Sequence, residues 1–192
     1  MSLAPKLAQS VSAATRLPLL AVPLFAAVGL AVAGVRGLLW AALCVFLTSG
    51  LSLLYLLYLT RSGAVRDPRS IPRAERVGPL RVVAALHVGA FLLVYALGGP
   101  AQLTAALLSY AVATVLFALL TPLINLSLHA AGAAGTAVCL ASVFGPWGAA
   151  AFGILPAVFW ARLRLGRHTV PDLVLGALVG GGGTWLAFAL LG

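Results

Sequence analysis

The sequence predicts an all-α protein, a polytopic transmembrane bundle of about six to seven spans, on three observations. Of its 192 residues, 62% are apolar and 8% charged. The apolar residues fall into runs of roughly the 20 needed to cross a bilayer. The cations gather between alternate runs. Soluble domains are roughly 45–50% apolar and about 25% charged, so a water-soluble globule is excluded. A disordered chain, which needs low hydrophobicity and high charge, is excluded too. The formal charge of +9, from 12 Lys and Arg against three Asp and Glu, would point to nucleic acid in a soluble protein. In a bilayer-embedded chain it marks the cytoplasmic loops and suits phosphate head groups instead, so no nucleic-acid partner is expected.

Along the chain, residues 2–14 place Leu3, Leu7, Val11 and Ala14 at helical spacing with Lys6 and Gln9 off that face, which fits a short interfacial helix within 1–16. The expected spans are 17–35, 37–60, 82–99, 103–123, 127–145, 148–165 and 172–191. The first follows Lys6 and Arg16 like a secretory signal, but runs directly into a second apolar stretch, which argues against cleavage. The sixth carries Pro156, tolerable where neighbours satisfy the freed carbonyl. Cys44 and Cys139 lie inside apolar runs, where thiols behave as small hydrophobes, and no disulfide framework is expected. The whole of 1–192 reads as one integral membrane domain.

The one sizeable polar segment, 61–81, is taken as a cytoplasmic loop and holds Arg61, Arg66, Arg69, Arg73, Arg76 and Arg81. The positive-inside rule alone would account for it. Two crossings separate this loop from the polar stretch Asn125 to His129, and two more lead to 162–172. An even number of crossings returns the chain to the same face, so the three polar clusters can meet.

Each cluster has a chemistry suited to phosphate. Arginines such as Arg69 and Arg76 present planar sets of N–H donors to phosphate oxygens. Ser127 and His129 open an apolar helix whose free N–H groups attract an anion, although a Ser there is often only a cap. His168 and Asp172 are four apart, so the carboxylate can fix the imidazole tautomer and free the other nitrogen as nucleophile or base. Ionisable residues at span ends are costly and tend to be functional.

Taken in order, Arg69-x6-Arg76-Val77, Leu126-Ser127-Leu128-His129 and Ala161-Arg162-x5-His168-x3-Asp172 resemble the three-part signature of the type 2 phosphatidic acid phosphatase superfamily. Its patterns are Lys-x6-Arg-Pro, Pro-Ser-Gly-His and Ser-Arg-x5-His-x3-Asp. The likeness spans 69–180, since Gly176 and Gly180 continue the third motif with small residues suited to close helix packing. The chain departs from the pattern in four places. Arg69 keeps charge but changes geometry, Val77 loses a rigid turn, Ala161 loses a hydroxyl, and Leu128 adds bulk where phosphate approaches.

The resemblance implies a lipid phosphate phosphatase in the plasma membrane, without metal or other cofactor, acting on a phosphomonoester or diphosphate through a phosphohistidine. On this reading Arg69, Arg76, Arg162 and Ser127 hold the phosphoryl oxygens, His168 attacks phosphorus, Asp172 orients His168, and His129 protonates the leaving alcohol. A phosphatidic acid-like lipid and a polyprenyl phosphate fit equally, and a homo-oligomer is as compatible with the sequence as a single copy. Eleven of the 12 basic residues lie on the site's side with Arg36 opposite, and without Arg69, Arg76 and Arg162 the ratio is still eight to one, which predicts a cytoplasmic site.

Three rival readings are weighed, one of which, a prenyl-transferring membrane enzyme, is opposed by three dispersed acids that supply no cluster for magnesium. His129, His168 and Asp172 suit zinc by type, although the arginine excess opposes a dication. Alternatively, the chain is a non-catalytic homologue that binds or translocates lipid phosphates. His87 is expected either to line the cavity or to make a structural hydrogen bond. The Trp residues are expected at interfaces or in packing, and 180–183 at a close helix crossing.

Overall fold

The computed structural model describes residues 3–67 and 71–192. Among them only helices and their connecting turns occur. In chain order these are α1 (Leu3–Ala14), α2 (Leu17–Val45), a π-turn (Phe46–Gly50), α3 (Leu51–Arg61), α4 (Arg73–Ala96), α5 (Ala101–Leu120), α6 (Leu128–Phe144), α7 (Pro146–Ala149), a 3-10 turn (Ala150–Gly153), α8 (Ile154–Arg164) and α9 (Val170–Leu191). By length and composition, Leu17–Arg61, Arg73–Ala96, Ala101–Leu120 and Val170–Leu191 are long and apolar enough to cross a membrane. Leu128–Phe144 is apolar but shorter.

The first of these stretches is folded in two. Ala33 and Gly34 leave helical geometry, and Gly34 takes φ 58°, ψ −144°, a conformation open to glycine alone without strain. A Cβ on Gly29 would run into the Gly37 carbonyl, and one on Gly37 into that of Gly29. In a straight helix these residues would stand about 12 Å apart, so the chain turns back on itself. Gly145 repeats the device with φ 59°, ψ −136°, and there Gly148 packs on the Leu140 carbonyl. The same offsets, five residues before the turn and three after, make both hairpins. The stretch expected as the sixth span is three short pieces, α7, the 3-10 turn and α8, with Pro156 in the first turn of α8, and it is not among the helices long enough to cross.

Another glycine turn, Gly98–Gly99, lies at the same end as Gly34, since a Cβ on Gly99 would stand 3.3 Å from the Trp40 ring. The connections between α1 and α2, α3 and α4, α5 and α6, and α8 and α9 gather at the opposite end. Helices α6 and α9 run side by side in parallel. A Cβ on Gly176 would lie 2.6 Å from the Ser127 carbonyl oxygen, one on Gly180 would strike the Ala131 carbonyl, and one on Gly135 would meet Thr184 Oγ1 at 3.0 Å. Small residues on both helices permit this approach.

One packed cluster joins Phe25, Val28, Cys44, Val94, Leu103 and Leu107. A second, nearer the polar end, joins Leu80, Phe117 and Leu126. Large side chains such as Leu39, Leu54, Leu92, Leu119 and Leu178 face outward. So extensive an apolar exterior suits contact with lipid rather than water. Cys44 and Cys139 are free and buried.

One local expectation is corrected. The Arg-rich segment does not remain a loop to residue 81: α4 begins at Arg73, so Arg73, Arg76 and Arg81 ride on its first turns. Charge marks emergence into water, which a helix tolerates as well as a loop does. The N-terminal helix is α1, on which Ala8 is buried, Val11 and Ser12 are half-buried and Leu7 is exposed.

Candidate functional site

Four connections at the polar end bring the cationic and imidazole side chains together. Pro18 and Pro171 occupy the first turns of α2 and α9, where a missing N–H costs nothing. Thr169 and Asp172 form a capping box: Asp172 Oδ2 accepts from the Thr169 N–H at 2.9 Å, and Thr169 Oγ1 accepts from the Asp172 N–H at 3.5 Å. Gly166, with φ 61°, turns the chain between α8 and α9. These features fix His168 beside the start of α6.

His168 Nδ1 lies 3.3 Å from the Asn125 carbonyl oxygen and 3.8 Å from Asp172 Oδ2. A carbonyl only accepts, so Nδ1 carries the hydrogen and Nε2 keeps its lone pair. The Asn125 carbonyl, rather than the Asp172 carboxylate alone, sets the tautomer. The His168 side chain is only 6% exposed. Its burial, and next the nearby Arg162 cation, hold its pKa below the usual 6.5, against weaker opposite effects of Asn125 and Asp172. The imidazole is therefore kept neutral.

His129 Nε2 donates to the Ser12 carbonyl at 3.1 Å, and Arg162 Nη1 donates to the Ser12 hydroxyl at 3.0 Å. Among the described residues, the buried Arg162 Nε has no partner. Arg76 spends one donor on the Ile71 carbonyl at 2.9 Å. Arg16, Arg76, His129, Arg162, Arg167 and His168 all line one cavity of about 1030 Å³ that continues between the apolar helices. Arg69 lies outside the described residues.

Ser127 and Asp172 stand behind the cavity wall. Ser127 is fully buried, its hydroxyl accepts from the Ala130 N–H at 3.4 Å, and its own N–H donates to the Asp172 carbonyl at 3.2 Å. These two contacts brace the start of α6 against that of α9. Leu128, the first helical residue of α6, does line the cavity. It does so without positive φ, since among the described residues only glycines adopt one. His87 meets both of its expectations, lining the cavity and approaching Ser52 Oγ to 3.3 Å through Nε2.

Among the described residues, no three His, Cys, Asp or Glu side chains converge on a point that would suit a metal ion. The sequence motifs did not reveal Ser12, whose helix carries no catalytic pattern, or the Asn125 carbonyl, a main-chain group. Arg16 and Arg167 were visible only as same-face charges. No family model, curated protein or solved structure matches the chain.

Proposed function

We propose that this chain is an integral membrane phosphatase that hydrolyses a lipid phosphate through a phosphohistidine, in the manner of the type 2 phosphatidic acid phosphatases. One observation carries the reading: Arg76, His129, Arg162 and His168, from three distant stretches of sequence, line a single cavity whose remainder runs between apolar helices. A phosphate at the mouth with its tail in the bundle is the economical occupant.

His168 Nε2 attacks phosphorus in line as the P–O bond to the lipid breaks, and the departing oxygen takes its proton from His129. His129 then removes a proton from water as that water attacks phosphorus. The P–N bond breaks, releasing phosphate and returning His168 to the neutral imidazole and His129 to the imidazolium with which the cycle starts. Arg76 and Arg162, with Arg69, neutralise the charge that builds on the equatorial oxygens. Asp172 and the Asn125 carbonyl steady His168, and Ser127 holds the start of α6 in place.

The reading includes seven crossings, with both arms of the hairpin at Gly34 counted, and a cytoplasmic site in the plasma membrane. Arg66 is exposed beside it. An Arg66→Cys protein should react with an impermeant thiol reagent only after cells are opened, and labelling of intact cells would reverse the orientation. The activity itself is tested by phosphate release from lipid monophosphates and diphosphates in chelator, with His168→Ala as control. Release that depends on His168 supports the phosphohistidine route.

A second reading, binding or translocation without turnover, is favoured by the Ser12 contacts, which occupy both His129 and Arg162. Tight binding of lipid phosphate with no release from any substrate would decide for it.

A further inference from the structure

The cavity does not become uniformly apolar with depth. His87, Ser52 and Tyr110 line its inner part. Along α4, His87 stands about 16 Å from Arg76. It is 6% exposed, its Nε2 faces Ser52 Oγ at 3.3 Å, and the Tyr110 ring meets it edge-on at 5.5 Å between centroids. Among the described residues its buried Nδ1 makes no well-formed hydrogen bond, although the main-chain carbonyls of Thr48 and Tyr110 lie close to the imidazole. The neighbouring hydroxyls of Thr48 and Ser109 already donate to carbonyls of their own helices.

A buried imidazole nitrogen without a partner is costly, and a plain hydrocarbon chain beside it would leave the cost in place. We infer that His87, Ser52 and Tyr110 form a second, uncharged subsite that takes a hydroxyl on the tail of the lipid whose phosphate sits at the mouth. The ligand is uncharged because no cation lines this depth and a charge so far inside would be expensive. It is a hydroxyl because either neutral tautomer of His87 then suffices: a hydroxyl accepts from Nδ1–H or donates to a bare Nδ1. It belongs to the tail because oxygens beside the phosphate cannot reach this depth. The inference rests on the lipid-phosphate reading and narrows it to lipids with an oxygenated chain.

The test compares hexadecyl monophosphate with the same molecule bearing a hydroxyl near mid-chain. Competition binding and phosphate release are both measured on the full-length protein in detergent. The hydroxylated lipid should bind about fivefold to tenfold more tightly, the scale of one buried hydrogen bond. His87→Leu should erase that preference and leave binding of inorganic phosphate unchanged. If His87→Leu fails to fold, His87→Phe, which keeps a planar ring but no nitrogen, should likewise erase the preference. Equal binding of the two lipids by the unaltered protein, or a preference that survives these substitutions, overturns the subsite and leaves resident water as the partner of Nδ1. Absence of phosphate release alongside an intact, His87-dependent binding preference overturns the phosphatase and leaves the subsite standing.

Discussion

The Ser12 carbonyl oxygen accepts the Nε2 hydrogen of His129 at 3.1 Å, so the N-terminal helix occupies the acceptor position that a leaving alkoxide would need. The same residue holds Arg162 through its hydroxyl at 3.0 Å. Residue 12 thus offers two oxygens to the pair that would meet the substrate, one to the proton donor and one to the phosphate clamp. A phosphate, being charged, is the stronger acceptor for a guanidinium than a neutral hydroxyl is. Substrate entry on this geometry displaces Ser12.

Ser12→Ala removes only the hydroxyl and leaves Arg162 Nη1 seeking a partner. The KM for a lipid phosphate should fall by a factor of about two to five, the scale of one half-exposed hydrogen bond. Titration of initial rates checks this, and a KM that rises instead would make Ser12 a support of the arginine rather than a competitor.

His168 provides a pH prediction whose sign follows from its environment. Burial and Arg162 disfavour the imidazolium, so the folded chain releases this proton below pH ~6.5 while the unfolded chain still binds it near that value. Above about pH 6.5 both states are neutral and the group is without effect. As pH falls through about 6.5 toward the lowered value, the unfolded state gains protons first and stability declines. The acid limb of kcat/KM should likewise lie below pH ~6.5. Arg162→Gln, by removing a cation, should move that limb upward. A pH–rate profile of both proteins decides it.

Hydrophobic periodicity located the helices better than it located their faces. Arg36 marked the break in the first apolar stretch, and the chain turns at Ala33–Gly34, just before it. On α1, spacing gave the helix but not its contacts: Ala8 is buried and Val11 and Ser12 are half-buried, while Leu7 is exposed. In a bilayer a large apolar side chain gains nothing by leaving lipid and a small residue lets helices approach, so Leu7 can face outward while Ala8 packs. The meeting of the polar clusters was readable, and Arg76, His129, Arg162 and His168 do share one cavity. The contacts of Asn125 and Ser12 escaped because carbonyl oxygens leave no trace in a side-chain pattern.

The capping box and the His168 contact can be separated, because Asp172 serves both. Thr169→Ala deletes a cap oxygen while sparing the carboxylate, and should cost about 1 kcal/mol of stability with little change in kcat. Asp172→Asn keeps an acceptor for the Thr169 N–H but removes the charge 3.8 Å from His168 Nδ1. It should lower kcat roughly tenfold or more, within the range assigned to a positioned charge, and leave the melting temperature nearly unchanged. If Thr169→Ala reduced kcat as far as Asp172→Asn does, the cap rather than the carboxylate would be what matters to the imidazole.

The contact between α6 and α9 sets the spacing of the second and third motifs, and Gly180 sits against the Ala131 backbone, where no flexible side chain can yield. Gly180→Ala must push the helices apart, at about 2 kcal/mol for an overpacked contact. Because Ser127 and Asp172 hang from the same pair of helices, the separation should also reduce turnover. Gly182 provides the control, since a Cβ there meets nothing within 4 Å, and Gly182→Ala should be neutral or slightly stabilising through its effect on the unfolded chain. Thermal unfolding in detergent of the two proteins side by side is the measurement. Equal melting temperatures would mean that α6 and α9 are not held together at this crossing, and the bracing of His168 against the start of α6 would need another source.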